Sequence, residues 1–192
     1  MELSPASRGE LLRIAKQSLR AAVLGREHLF EPPTHPELTQ PAGCFVSLHE
    51  LDTHRLRGCI GRLEASGPLW RVITETAVNV LGDPRFDDLR VTPGDLAILE
   101  IELSVLSPLL PCASPLNFDL QNDGIYLIAG ERAGCFLPQV ARETGWTKEQ
   151  LLDRLCTEKL GMPATTWRTG DATLMRFSTV IVGPEPVESI DE

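Results

Sequence analysis

The chain has 192 residues, 42% of them hydrophobic and 23% charged, which is typical of a soluble globular domain with its own core. Its formal net charge of −9 argues against nucleic-acid binding, because non-specific binding needs a positive surface that displaces counterions from the phosphates. The sequence contains neither a run of about 18 apolar residues nor a basic segment followed by an apolar one, so we expect no membrane partner and a cytoplasmic location.

A helix over residues 8–24 is the first predicted element. Ser7 and Glu10 have the spacing of a capping box, apolar residues follow at helical intervals, and Gly25 ends the pattern. The next segment, residues 31–41, is rich in proline and is predicted to be an extended connection.

Three strands are predicted in the middle of the chain. Residues 43–49 and 55–61 have the pattern of a hairpin whose turn lies around Asp52 and Thr53. Apolar and polar residues then alternate along residues 97–106, which predicts a strand with one face in the core. The residues on its apolar face are Ala97, Leu99, Ile101, Leu103 and Val105.

A second helix and a second hairpin complete the central part. The helix is predicted over residues 67–81, with Ser66 as its cap and Pro68 in its first turn. Residues 124–130 and 133–137 are predicted to be two strands joined by a tight turn.

The last third begins with another helix. Thr147 and Gln150 form a second capping box, and the helical pattern that follows ends at Gly161. A final strand is predicted over residues 173–182, and the acidic tail 183–192 is predicted to be disordered.

This order of elements predicts the fold class. Neighbouring strands interrupted by segregated helices indicate an α+β fold rather than a parallel α/β fold. We therefore expect an antiparallel sheet packed with helices, in a single domain over residues 8–182.

The segment RLRGCIGR, residues 55–62, has the most unusual composition. Residues two apart on a strand share a face, so Arg57 is expected beside Cys59, where a guanidinium would favour the reactive thiolate. Gly58 and Gly61 have no side chains and would leave room for a ligand or for another backbone. A glycine-rich strand at a bend of a sheet would have the same pattern, so a purely structural role stays open.

Charged residues elsewhere form two further candidate groups. Glu100 and Glu102 lie on the polar face of their predicted strand, where they are either solvated or a carboxylate pair able to move protons. Asp83 and Arg85 lie in a loop after a helix and are candidates for binding an anion or a backbone. The predicted catalytic residues are Cys59, Arg57, Glu102 and Glu100, and the predicted substrate-binding residues are Gly58, Gly61, Asp83 and Arg85.

A metal site is not predicted. His49, His54 and Cys59 match no recognised ligand spacing, and their convergence depends on the register of the hairpin. A three-residue turn would place His49 opposite Arg57, and a two-residue turn would place it opposite Leu56. We expect no cofactor in the isolated protein, and the sequence leaves open whether one binds in a complex.

The five cysteines are expected to be free thiols. They are widely spaced and include no CxxC pair, so neither a zinc ribbon nor a thioredoxin-type site is indicated. Cys44 and Cys156 lie in apolar patterns that predict burial, and we expect Cys59 to be the most reactive of the five.

Five motifs in order along the chain resemble one family, the AMMECR-type domain, also called AmmeMemoRadiSam system protein A. They are LRGCIGRLE at 56–64, DPRF at 83–86, LEIELSVLSP at 99–108, FLPQVARETGW at 136–146 and LLDRLCTEKLGMPATTW at 151–167. The resemblance runs from about residue 8 to residue 182.

The resemblance implies an α+β protein with a larger lobe, a smaller lobe and a groove between them. It also implies two partners, a Memo-like protein and a radical SAM enzyme, in a shared modification pathway. The family is usually suspected of forming its site from the motif that falls here on residues 56–61.

Three functions follow as alternatives. The first is an enzyme or enzyme subunit with Cys59 as its nucleophile, and the second is a non-catalytic partner-binding or carrier module for the same two partners. The third, a nucleic-acid-binding protein, is disfavoured by the charge of −9. Thiol catalysis usually needs a base within hydrogen-bond reach, and His49 is the histidine best placed by the sequence.

Overall fold

The structure is a computed structural model that describes residues 2–26, 30–64 and 67–188. The chain divides into two compact units, Met1–Leu106 with Val180–Glu192, and Ser107–Thr179. Each unit has helical segments, a four-stranded sheet with antiparallel pairing and its own hydrophobic core, which confirms the α+β class.

Five α-helices and eight strands lie in the described residues. The helices are α1 (Pro5–Val23), α2 (Pro36–Thr39), α3 (Leu69–Asn79), α4 (Pro138–Thr144) and α5 (Lys148–Arg154). The strands are β1 (Cys44–Glu50), β2 (Leu56–Arg62), β3 (Leu99–Leu106), β4 (Leu110–Pro111), β5 (Gly124–Ala129), β6 (Arg132–Phe136), β7 (Ala172–Phe177) and β8 (Thr179–Pro186). No helix in this part of the chain combines the length and the apolar character needed to cross a membrane.

Helix α1 starts earlier than its sequence pattern predicts. Its cap is Ser4, whose hydroxyl accepts from the N–H of Ser7 at 3.2 Å, so the predicted capping box that starts at Ser7 is wrong. Ser7 is instead buried inside the helix, where its hydroxyl donates to Glu37 at 2.6 Å. Glu37 belongs to α2, a short helix within the segment that was expected to be extended throughout.

The first unit is built on the sheet β2-β1-β3-β8. The apolar faces of β1 and β3 share a core with α1 and α3, and Leu99, Ile101 and Leu103 are fully buried there as predicted. Burial of such side chains stabilises the fold by roughly 1.5–3 kcal/mol each. Ala97 is exposed, because it lies in a 3₁₀ turn before β3 rather than in the strand.

The predicted start of α3 is correct to within two residues. The helix begins at Leu69 with Pro68 as the residue before it, so Pro68 precedes the first turn rather than lying in it. The predicted cap Ser66 lies outside the described residues. Three short 3₁₀ segments, the first at Val80–Gly82, then carry the chain from α3 to β3.

The second unit is built on the sheet β4-β7-β5-β6. The hairpin of β5 and β6 is confirmed, with Ala129 paired to Arg132 across a two-residue turn. Thr147 and Gln150 form the predicted capping box of α5, and Gly161 ends the following helical segment at a φ of +61°.

The prediction of one strand over residues 173–182 is wrong. The chain leaves β7 at Phe177 and enters β8 at Thr179, and the two strands belong to different sheets. The tail also begins later than predicted, because β8 extends to Pro186 and the side chain of Val187 is fully buried. Residues 189–192 lie outside the described part of the chain.

Candidate active site around Cys59

A row of polar side chains crosses the first sheet. Strand β1 lies between β2 and β3, and Ser47 in β1 is paired with Cys59 on one side and with Glu102 on the other. Because successive residues alternate between faces, and Val46 and Leu48 face the core, these three side chains lie on the face away from the core. The sheet therefore brings a thiol, a hydroxyl and a carboxylate into one line.

Ser47 is the direct partner of the thiol. Its hydroxyl donates to the sulfur of Cys59 with an Oγ–Sγ distance of 3.2 Å. This hydrogen bond orients the sulfur and places a donor against negative charge that develops on it. Cys59 is half-buried, which leaves part of its surface open to a reagent.

The backbone of Cys59 is held by the loop after α3. The buried carboxylate of Asp83 accepts from the N–H of Cys59 at 2.9 Å and from Nε and Nη2 of Arg85 at 3.0 and 2.6 Å. Nη2 of Arg85 also donates to the carbonyl of Cys59 at 3.0 Å. Asp83 and Arg85, which are bonded to each other, thus hold both the N–H and the carbonyl of Cys59.

Both members of this pair have displaced pKa values. The hydrogen bond from Arg85 is the main reason that the pKa of Asp83 falls to about 2, and the N–H of Cys59 lowers it further against the opposing effect of burial. The pKa of Arg85 is raised, first by its hydrogen bond to Asp83, and the neighbouring Cys59 thiol contributes in the same direction. Arg85 is therefore the arginine next to the thiol.

Arg57 was expected in that position, and the structure places it elsewhere. Its guanidinium is buried and contacts the carboxylates of Glu50 at 3.1 Å and Asp95 at 3.6 Å and the carbonyl of Leu89 at 3.1 Å. Within the described part of the chain, Cys59 is not among its hydrogen-bond or ion-pair partners.

A β-bulge is the physical reason for this difference. Leu48 pairs with Gly58 and His49 pairs with Leu56, so Arg57 is the extra residue on β2. The bulge also settles the register that the sequence left open, since His49 lies opposite Leu56. Because the bulge interrupts the alternation of faces along β2, that alternation does not predict the neighbours of Arg57.

The two glycines of the motif do not leave open space for a ligand. A Cβ on Gly58 would lie 2.9 Å from the carbonyl oxygen of Val80, and a Cβ on Gly61 would lie 2.3 Å from the ring of Phe45. Gly58 thus admits another backbone, which was one of the two expected roles, and Gly61 admits an aromatic ring. Their prediction as substrate-binding residues is not supported by this packing.

The second predicted carboxylate, that of Glu100, contacts a histidine in the turn of the β1–β2 hairpin. Its Oε1 lies 3.1 Å from Nδ1 of His54, a residue of the turn with a φ of +53°. His49 pairs with Glu100 across β1 and β3, and burial lowers the pKa of His49 while the charge of Glu100 opposes that shift. Glu100 therefore belongs to a histidine cluster one row away from Cys59.

Metal ligands do not converge at this cluster. Among residues 2–26, 30–64 and 67–188, no group of three or more histidine, cysteine, aspartate or glutamate side chains is arranged to hold a metal ion.

The other cysteines have different surroundings. Cys44 is buried beside Thr76, and burial raises the pKa of its thiol to about 11. Burial also raises the pKa of Cys156 and of Cys112. A higher pKa leaves less thiolate at neutral pH, so these thiols are less prepared for nucleophilic attack.

Two features of the site were missed from the sequence. Ser47 could have been found from one of the two registers that the sequence left open, because pairing of His49 with Arg57 would also bring Ser47 opposite Cys59. The contacts of Asp83 and Arg85 with Cys59 join residues more than twenty positions apart, and no local pattern predicts such a contact.

The fold that carries this site is also present in a solved structure. The crystal structure titled "Uncharacterized Protein PH0010", from Pyrococcus horikoshii, superimposes with a TM-score of 0.80 at 31% identity. The match covers 90% of this chain and 88% of that chain. The overall fold of this chain is thus similar to one determined by crystallography.

The sequence comparisons identify the family. The family model described as AMMECR1 matches residues 12–182, and the chain belongs to the AMMECR1 family. A relative from Methanopyrus kandleri, Protein MK0488, is 31% identical over 185 residues, which cover 93% of this chain and 88% of the relative. A protein from Methanothermobacter thermautotrophicus is 33% identical over 192 residues, with 94% and 97% covered.

Proposed function

We propose that this protein is an enzyme or enzyme subunit whose reacting group is the thiol of Cys59. The observation that carries the proposal is the hydrogen bond from the Ser47 hydroxyl to the Cys59 sulfur at 3.2 Å. A thiol that accepts a hydrogen bond, lies near a guanidinium and is only half-buried has the surroundings of a nucleophile rather than of a core residue.

The proposed chemistry starts with removal of the thiol proton. Glu102 is paired with Ser47 on the side opposite Cys59 and lies on the same face of the sheet, and in this proposal its carboxylate is the final acceptor of the thiol proton. The thiolate then attacks an electrophilic carbon of the substrate with its electron pair, and a leaving group departs from that carbon. Glu100 has a lesser part in this proposal, because its carboxylate already contacts His54.

The partners in this proposal come from the family resemblance. A Memo-like protein and a radical SAM enzyme would act with this chain in one modification pathway in the cytoplasm. In that setting the covalent adduct on Cys59 would be an intermediate that is handed to, or received from, one of the two partners.

Competitive alkylation tests the proposal directly. The folded protein is treated with a limiting amount of iodoacetamide, and the labelled fraction of each cysteine is measured by peptide mass spectrometry. We expect Cys59 to be labelled first, ahead of the half-buried Cys135 and of the buried Cys44 and Cys156. If Cys59 is labelled no faster than Cys156, the motif is a packing feature and the proposal is wrong.

One observation favours a non-catalytic partner-binding or carrier module as a second candidate. Within the described residues, the Cys59 sulfur accepts from the hydroxyl of Ser47, and no histidine forms a hydrogen bond with it as a general base would. Substitution of Cys59 by serine separates the two candidates. An enzyme keeps its binding to the Memo-like protein and loses turnover, whereas a module retains pathway function in full.

A further inference from the structure

Only some of the N–H groups of the Arg85 guanidinium donate hydrogen bonds within the protein. Its Nε and Nη2 are held by Asp83 and by the carbonyl of Cys59. In the described part of the chain, Nη1 has no hydrogen-bond partner, and the side chain is 56% exposed. Two N–H groups of a fixed cation are thus available to a ligand beside the thiol.

We propose that the Nη1 end of Arg85 binds a carboxylate of the substrate, so that Cys59 attacks a carbon close to that carboxylate. The inference rests on the proposed role of Cys59 as nucleophile. It names the substrate class as small electrophiles that carry a carboxylate.

The position of Asp83 determines which end of the Arg85 guanidinium is available to a ligand. Its carboxylate is buried and contacts the Nε and Nη2 side of the guanidinium, so the positive end of the ion pair is the Nη1 end. Because the same carboxylate accepts from the N–H of Cys59, the cation is fixed relative to the nucleophile before any ligand arrives. A fixed cation loses little freedom on binding, which improves its affinity for an anion.

A carboxylate suits this site better than a phosphate dianion. The chain carries a formal net charge of −9, which repels a doubly charged ligand more strongly than a singly charged one. The site also offers one free nitrogen rather than the whole planar fork that Arg presents to phosphates.

A pair of alkylating reagents of nearly equal size tests this inference. Iodoacetate carries a carboxylate next to its reactive carbon, and iodoacetamide carries a neutral amide there. With both reagents the thiolate attacks the methylene carbon, the C–S bond forms as the C–I bond breaks, and iodide leaves. The ratio of the two rates at Cys59 cancels differences in exposure and in thiolate fraction, since both affect the two reagents alike.

Relative to the same ratio in the urea-unfolded chain, we expect iodoacetate to be favoured at Cys59 by about fivefold, the factor of an exposed ion pair. Arg85→Gln should abolish this preference, and Arg85→Lys should retain part of it. The matched control is Arg90→Gln, which removes one charge from an exposed arginine of the same segment that pairs with Asp87, and it should leave the ratio unchanged.

The outcomes separate this inference from the proposed function. Fast labelling by iodoacetamide with no iodoacetate preference in the native protein overturns the carboxylate inference and leaves Cys59 as the nucleophile. An equal loss of preference in Arg85→Gln and Arg90→Gln also overturns it, because a general field rather than Arg85 would then be the cause. Slow labelling by both reagents overturns the proposed function and the inference with it.

Discussion

At the scale of single residues, the surroundings of Cys59 combine three effects. The hydroxyl of Ser47 donates to its sulfur, Asp83 accepts from its N–H, and Arg85 donates to its carbonyl. Ser47 belongs to β1, and Asp83 and Arg85 belong to the loop after α3, so one segment holds the sulfur of Cys59 and another holds its backbone. This fixed position distinguishes Cys59 from the buried Cys44, which fills space in the core.

The packing of Gly61 against Phe45 gives a prediction about stability. In Gly61→Ala the new Cβ would lie 2.3 Å from the Phe45 ring, so we expect the free energy of unfolding to fall by about 1–3 kcal/mol, as for other overpacked sites. Urea unfolding measures this change. Gly67→Ala is the control, because a Cβ there meets nothing within 4 Å. Equal effects of the two substitutions would show that the ring is not what excludes a side chain at Gly61.

The low pKa of Asp83 gives a prediction about pH. Its pKa of about 2 in the folded protein lies below the ordinary value of 3.8, so its carboxylate stabilises the fold above pH 4 and this contribution is lost as the pH falls to 2. The loss is about 2 kcal/mol. Asp83→Asn should lack this part of the pH dependence when unfolding is measured from pH 6 to pH 2. Parallel curves for the two proteins would contradict the assigned interaction with Arg85.

At the residue scale, the sequence singled out Cys59 in one motif and Asp83 and Arg85 in another, DPRF, without linking them. The structure places the two DPRF residues against the backbone of Cys59. The assignment of Arg57 to the thiol failed because alternation assumes an uninterrupted strand, and the bulge at Arg57 breaks that assumption. A bulge depends on the partner strand, so β2 alone does not reveal it.

At the scale of elements, Arg57 joins the hairpin to the segments that follow α3. Its guanidinium contacts Glu50 at the end of β1, the carbonyl of Leu89 and the carboxylate of Asp95. The arginine of the motif is therefore a structural connector in the first unit, and it acts on the arrangement of backbone segments rather than on the sulfur.

Substitution of Arg57 tests this connecting role. Arg57→Ala removes a buried guanidinium that contacts the carboxylates of Glu50 and Asp95 and the carbonyl of Leu89, and a hydrogen bond to a charged group contributes about 1.5–3 kcal/mol. We therefore expect a large fall in the free energy of unfolding, measured by urea denaturation. Arg55→Ala removes an exposed arginine from the same glutamate and should cost much less, because solvent screens an exposed ion pair. A similar small cost for both would contradict the connecting role.

Strands were predicted well where apolar and polar residues alternate, as in β3, although most of the polar face of β3 is buried as well. The segment 173–182 was predicted as one strand because its apolar pattern is continuous across Ser178. The structure divides it between two sheets, with β7 paired to β5 and β8 next to β3. Which sheet a strand joins is decided by distant partners, so the local pattern cannot show the division.

At the scale of the whole molecule, the buried apolar residues are divided between two units, each with its own core. The first core gathers α1, α3 and the sheet of β1 to β3, and the second gathers α5 and the sheet of β5 to β7. The α+β class was predictable because it depends only on the order of elements. The division into two units was not, because β8 returns to the first unit after the chain has completed the second.

Because no set of metal ligands converges in the described residues, we predict that the stability of the fold does not depend on a bound metal. Treatment with EDTA followed by gel filtration should leave the midpoint of thermal unfolding unchanged, since a structural metal would contribute directly to folding. Elemental analysis of protein purified without added metal provides the control. Near-stoichiometric zinc or iron, together with a lower midpoint after chelation, would contradict this prediction.

The claim that Ser47 prepares Cys59 as a nucleophile is tested most directly by the rate constant for alkylation of Cys59 with iodoacetamide at one fixed pH. In Ser47→Ala this rate constant should fall by about tenfold, because a hydrogen bond to a charged group contributes roughly 1.5 kcal/mol. Ser104→Ala, which changes a buried serine on the same face of the sheet, is the control and should leave the rate constant unchanged. An unchanged rate constant in Ser47→Ala would contradict the claim.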